Sequence, residues 1–81
     1  MRNANVQRAS QRAAHITTML CNIGLKMDVL VNISDPYDNT MLWELSWLPV
    51  GGGEGRLYNV YAHERSAVRA AWRLYRKYTG E

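Results

Sequence analysis

The chain contains no phenylalanine, one cysteine and two prolines in 81 residues, and the first two shortages narrow what it can be. With Cys21 alone there is no intramolecular disulfide, so stability rests on packing, and a reducing cytoplasm is the expected compartment, a host cytoplasm if the chain is phage-encoded. Cys21 itself is expected to be a small buried hydrophobe. No apolar run approaches the roughly 20 residues that cross a bilayer, so no membrane partner is expected. The stretch from Met1 to Ala14 is polar where an export signal needs an apolar segment, so export by that route is not expected either.

Charge of one sign is missing from long stretches. Residues 1–26 carry Arg2, Arg8, Arg12 and Lys26 with no acid, and residues 27–55 carry Asp28, Asp35, Asp38, Glu44 and Glu54 with no base. Residues 56–81 hold six bases and two acids. A field divided in this way orients a charged partner and speeds its arrival, while saying nothing about fold.

What is present is aromatic: three Trp and five Tyr, with four Met. A domain of this size buries only about 60 to 65% of its unfolded surface, so its core must be dense in large side chains. Residues 1–81 are read as one domain whose ends fray before about residue 5 and after about residue 78.

Val6, Ala9, Ala13, Ile16, Leu20 and Ile23 recur at three- and four-residue steps, which predicts a helix with Arg8, Gln11, His15, Thr18 and Asn22 outward and Gly24 as its stop. Met27, Val29, Val31 and Ile33 alternate as a strand, and Asp35 to Thr40 supply a turn. Met41, Trp43, Leu45 and Trp47 alternate again, and a glycine-rich connector over 51–55 leads to a third strand from Arg56 to His63. The last helix runs from Glu64 to Tyr78, with Val68, Ala71, Trp72 and Tyr75 assigned inward. The expected fold class is α+β, in the order αβββα, with an antiparallel sheet, both helices on one face, and a core anchored by the three tryptophans. Continued alternation assigns Leu30, Leu42 and Tyr61 to the opposite, open face. There they would form a patch of a few hundred Å², suited to a protein contact or a homodimer.

The sequence offers little for catalysis. Cys21 and His15 lie six residues apart, about 120° around one helix, so they do not form a nucleophile–base pair. His63 is read as a surface or capping group, and two His with one Cys fall short of a zinc signature. Asp35 and Asp38 suit turn chemistry, and the glycine run lacks the Gly-Lys-Ser/Thr and helix of a phosphate loop. No catalytic residue, metal or cofactor is expected.

The final helix is the most informative segment. Arg65, Arg69, Arg73, Arg76 and Lys77 fall on one side with no acid among them, although like charges at four-residue spacing repel. These five, with Arg8 and Arg12, are candidate contacts to an anionic partner, and Tyr61, Leu30 and Leu42 are candidates on the sheet.

The αβββα order, with Arg65, Ala67, Ala70 and Ala71 matching part of a Lys-Lys-x-Ala-Lys-x-x-Ala-Ala run, resembles the double-stranded-RNA-binding domain. That resemblance implies phosphate contact by the last helix. Glu64 and Val68 stand where that family has lysines, and its Gly-Pro-x-His loop is absent. As a short, Trp- and Tyr-rich chain without catalytic residues, the protein is also similar in type to phage-encoded inhibitors of bacterial defence, including anti-CRISPR proteins, which share no motif. The leading expectation is a non-enzymatic protein-binding module that blocks a nucleic-acid-handling complex. The alternative is direct RNA or DNA binding through the basic last helix.

Overall fold

The computed structural model describes residues 4–31, 40–49, 51, 53 and 55–80. Helix α1 (Ala4–Leu20) runs into a 3₁₀ turn at Cys21–Ile23, followed by strands β1 (Leu25–Val31), β2 (Met41–Trp47) and β3 (Leu57–Tyr61) and helix α2 (Glu64–Thr79). The sheet is antiparallel in the order β1-β2-β3, giving the α+β fold read from periodicity. Ile33 of the expected first strand, Asp35 and Asp38 of the expected turn, and residues 52 and 54 of the connector lie outside the described residues.

The first helix ends where its sequence says it must. Gly24 adopts φ 81°, a left-handed conformation that costs a Cβ-bearing residue energy, and its N–H donates to the Cys21 carbonyl at 3.2 Å. Leu25 enters the core directly behind it, fully buried. Cys21, expected inside, is exposed: it follows the buried Leu20 by about 100° of helix rotation, and its Sγ contacts the Thr18 carbonyl at 3.2 Å.

Both helices contribute to one core with the inward side of the sheet, where Ala9, Ala13 and Leu20 meet Leu25, Met27, Trp43, Leu45, Ala67, Ala71 and Leu74. On α2 the buried stripe is Ala67, Ala70, Ala71 and Leu74, one residue out of step with the expected Val68, Ala71, Trp72 and Tyr75. Both sets have helical spacing, so periodicity alone cannot choose. Volume can. Trp43 is 2% exposed and Trp47 half-buried on the inner side of β2, and the space they leave admits alanines from the helix. Trp72 is therefore turned outward, 46% exposed, with its ring edge-to-face against Tyr75 at 6.0 Å.

A bulge changes the face assignment of β3. Trp43 pairs with Tyr61 and Leu45 with Asn59, but Ser46 pairs with Leu57, so Tyr58 is the extra residue. One inserted residue sends every later side chain to the other face. Leu57 stays on the open side. Tyr61, expected there with Leu30 and Leu42, lies on the helix side and packs half-buried against the core.

At Met27 a side chain covers the outer edge of β1. Leu48 N–H donates to the Gly24 carbonyl and Trp47 N–H to the Arg56 carbonyl, so even-numbered residues of β2 bond β1 and odd-numbered ones bond β3. In this parity Met27 points its backbone groups away from β2. The Thr17 hydroxyl of α1 accepts the Met27 N–H at 2.9 Å and lies 3.1 Å from the Met27 carbonyl and 2.8 Å from that of Ala13. An edge strand left bare invites pairing with another chain, and Thr17 blocks that at its midpoint.

Candidate interaction site

The buried alanines of α2 decide which of its residues face outward. With Ala67, Ala70, Ala71 and Leu74 inside, residues 65, 69, 73 and 77 form a single row at four-residue steps on the outside, with Arg76 beside it, and all five are exposed. Among the described residues none of Arg65, Arg69, Arg73 or Arg76 forms an ion pair. The three like-charged steps along the row cost the helix about 0.6 to 1.5 kcal/mol in total.

Helix stability accounts for only part of this row. Arg76 and Lys77 lie in the last turn, where the negative end of the helix dipole favours cations, and the Lys77 ammonium also sits 5.4 Å from the Tyr78 ring centroid. Arg65 is in the first turn, where the same dipole opposes it, and Arg69 and Arg73 are too central to benefit. These three are the residues whose presence folding does not explain.

Trp72 borders the row, with Arg69 three residues before it and Arg76 four after, so an exposed indole is placed among guanidinium groups. Arg and Trp are the types most often found to carry binding energy at protein interfaces. Sequence reasoning put Trp72 inside because it weighed hydrophobicity over volume. The readable signal was the alternative stripe of Ala67, Ala70, Ala71 and Leu74.

Helix α1 adds to the same side of the molecule. Arg8 and Arg12 are exposed, and with His63 and Glu64 they line an open cleft of about 610 Å³ between the N-terminal half of α1 and the start of α2. Arg12 is not free within it: its Nε lies 2.6 Å from Glu64 Oε1, tying the two helices together. Both side chains are about half exposed, so the pair is worth at most about 1 kcal/mol. His63 is the N-cap residue of α2 by position, yet its side chain makes no capping hydrogen bond.

The opposite side carries the other sign. Leu30 and Leu42 are cross-strand partners on the open face, 42% and 38% exposed, as the alternation predicts. In the next row Asp28 stands directly opposite Glu44, with Val60 alongside on β3. Lys26 reaches Asp28 at 3.4 Å. Beyond them Ser46 is only 3% exposed, its hydroxyl 3.3 Å from Glu44 Oε1, in a recess shared with Pro49, Gly53 and Gly55. Gly55 belongs there because a Cβ would collide with the Trp47 carbonyl oxygen.

Among the described residues no three His, Cys, Asp or Glu side chains come together, and no helix is long and apolar enough to cross a membrane. The arrangement is one of surfaces with opposite charge on a small α+β scaffold. Comparison of the chain with protein-family models, curated proteins and solved structures finds no match.

Proposed function

We propose that this chain is a non-enzymatic binding module that docks on an acidic protein surface through the outer face of α2. In the finer form of this reading it is an inhibitor of a nucleic-acid-handling complex, in the manner of the phage-encoded proteins to which it is similar in type. The observation that carries the proposal is the row of Arg65, Arg69 and Arg73 with the exposed Trp72 beside it, unpaired among the described residues and costly to the helix. Guanidinium groups bind carboxylates bidentately and desolvate more readily than ammonium groups, and a tryptophan among them supplies apolar area. The test is capture of the partner from a nuclease-treated host extract by the wild-type chain and by Arg69→Glu/Arg73→Glu. The variant is expected to capture nothing while keeping the wild-type circular dichroism spectrum. Undiminished capture by the variant would move the interface to the sheet.

Direct nucleic-acid binding is the second reading, favoured by the position of Trp72, since an exposed indole next to Arg69 and Arg76 can stack on an unpaired base. Glu64 weighs against the duplex version, because it puts a carboxylate at the helix end where phosphates would lie. If Arg65, Arg69, Arg73, Arg76 and Lys77 all contact phosphates of a duplex, log affinity falls with log salt at a slope of about −4.5. Absence of any shift with a duplex or a single strand in a gel experiment removes this reading.

A further inference from the structure

The open sheet face and the outer face of α2 are chemically complementary, and they belong to opposite sides of one molecule. We infer that the protein associates with copies of itself head to tail, the Arg69 and Arg73 pair of one copy seated on the Asp28 and Glu44 pair of the next. The inference rests on the same arginine face as the proposed function and adds that self-association occupies it.

The spacing matches. Asp28 and Glu44 are directly opposed across β1 and β2, and the ladder parity makes them a hydrogen-bonded pair, with Cα atoms about 5.5 Å apart. Arg69 and Arg73 are helix neighbours at four-residue spacing, about 5 to 6 Å between Cβ atoms. Each pair sets like charges side by side, and Lys26 offsets the carboxylates only at Asp28, so bringing the pairs together relieves both. Trp72 flanks the arginines as the exposed Leu30 and Leu42 pair flanks the carboxylates, so the apolar parts also meet.

The same charges oppose the symmetric alternative. A two-fold dimer through Leu30 and Leu42 would gather two copies of Asp28 and Glu44 into one contact, with only the Lys26 of each copy, among the described residues, to offset them. A head-to-tail contact between opposite sides does not close on itself, so it builds chains rather than dimers. The contact rests on four charged side chains and the few apolar ones beside them, against about 20 to 30 residues a side in a stable complex, which makes the association transient and salt-sensitive.

The experiment is sedimentation of the full chain at about 1 mM, a concentration that reveals weak contacts. At about 20 mM salt, where the Debye length is about 20 Å, the mean mass is expected to exceed two chains, and at about 500 mM salt it returns to one. Arg69→Glu/Arg73→Glu and Asp28→Lys/Glu44→Lys are each expected to be monomeric alone, with unchanged circular dichroism. Mixed in equal amounts, each supplies the face that the other has lost on its sheet or its helix. Carboxylates at 69 and 73 repel Asp28 and Glu44 of the partner, but they attract lysines at 28 and 44, and the two intact faces still fit each other. The mixture therefore regains the self-association that both variants lack. A wild-type chain that stays monomeric at low salt, stops at two chains, or yields a mixture no heavier than its parts overturns the inference. The sheet variant keeps all its arginines, so if it still captures the extract partner while the wild-type chain and the mixture stay monomeric at low salt, this inference fails and the proposed function stands.

Discussion

The helix side and the sheet side of this protein are built on opposite terms. On the helix side, small residues face inward: Ala9, Ala13, Ala67, Ala70 and Ala71 bring both helices close to the sheet, and the long side chains of Arg8, Arg69, Arg73 and Trp72 point out. On the sheet side the large residues Trp43, Leu45 and Leu25 are spent on the core, and the outward positions hold the paired Leu30 and Leu42 and the opposed Asp28 and Glu44. The sheet therefore supplies the volume of the core, and the helices supply reach at the surface. Like charges are set side by side on both faces, which folding alone would avoid.

The largest effect that sharpens this contrast is expected from the two tryptophans. Trp43→Ala removes a side chain that is 2% exposed and should cost about 3 to 5 kcal/mol in urea unfolding, whereas Trp72→Ala should cost well under 1 kcal/mol. Partner binding should respond in reverse, with the folded Trp72→Ala weakened by at least about tenfold, the range of an interface anchor. Equal stability losses for the two would contradict the division between a filled sheet and a thin helix layer.

A middle-sized effect tests how the sides are joined at the edge. Thr17→Val keeps the shape of the side chain but leaves the Met27 N–H without its acceptor, a loss of about 1 to 3 kcal/mol in stability. Hydrogen exchange of the Met27 amide should accelerate accordingly. Unchanged exchange would mean that the hydroxyl does not close the edge.

The smallest effects concern charge and run opposite to binding. Arg69→Glu alone replaces two like-charged steps, to Arg65 and Arg73, by attractive ones and should raise stability by about 0.8 to 2 kcal/mol. Glu44→Lys, facing Asp28, should raise it by about 0.2 to 1 kcal/mol. Thermal unfolding at low salt measures both, and high salt should erase most of the gain. A destabilised Arg69→Glu would show that the arginine row is supported by contacts within the fold.

Periodicity carried the element order well because helices and strands imprint spacings of 3.6 and 2 on hydrophobicity. The stop at Gly24, the span of β2 and the outward set of Arg8, Gln11, His15, Thr18 and Asn22 were all legible. The exposed Leu30 and Leu42 pair was legible for the same reason. Tyr61 was not, because strict alternation has no term for the bulge at Tyr58. Nor was the role of Arg12, whose partner Glu64 lies 52 positions along the chain on the other helix.

By itself the sequence determined the α+β order, the outward course of the arginine row and the absence of a disulfide, since each follows from local spacing or from residue count. Only the tertiary structure decided that Trp72 faces solvent, that Tyr61 turns toward the helices and that Thr17 bonds the edge of the sheet at Met27. The physical reason is that those outcomes depend on how much room the neighbouring layer leaves and on which strand carries an extra residue. Neither quantity is written in the periodicity of a single segment.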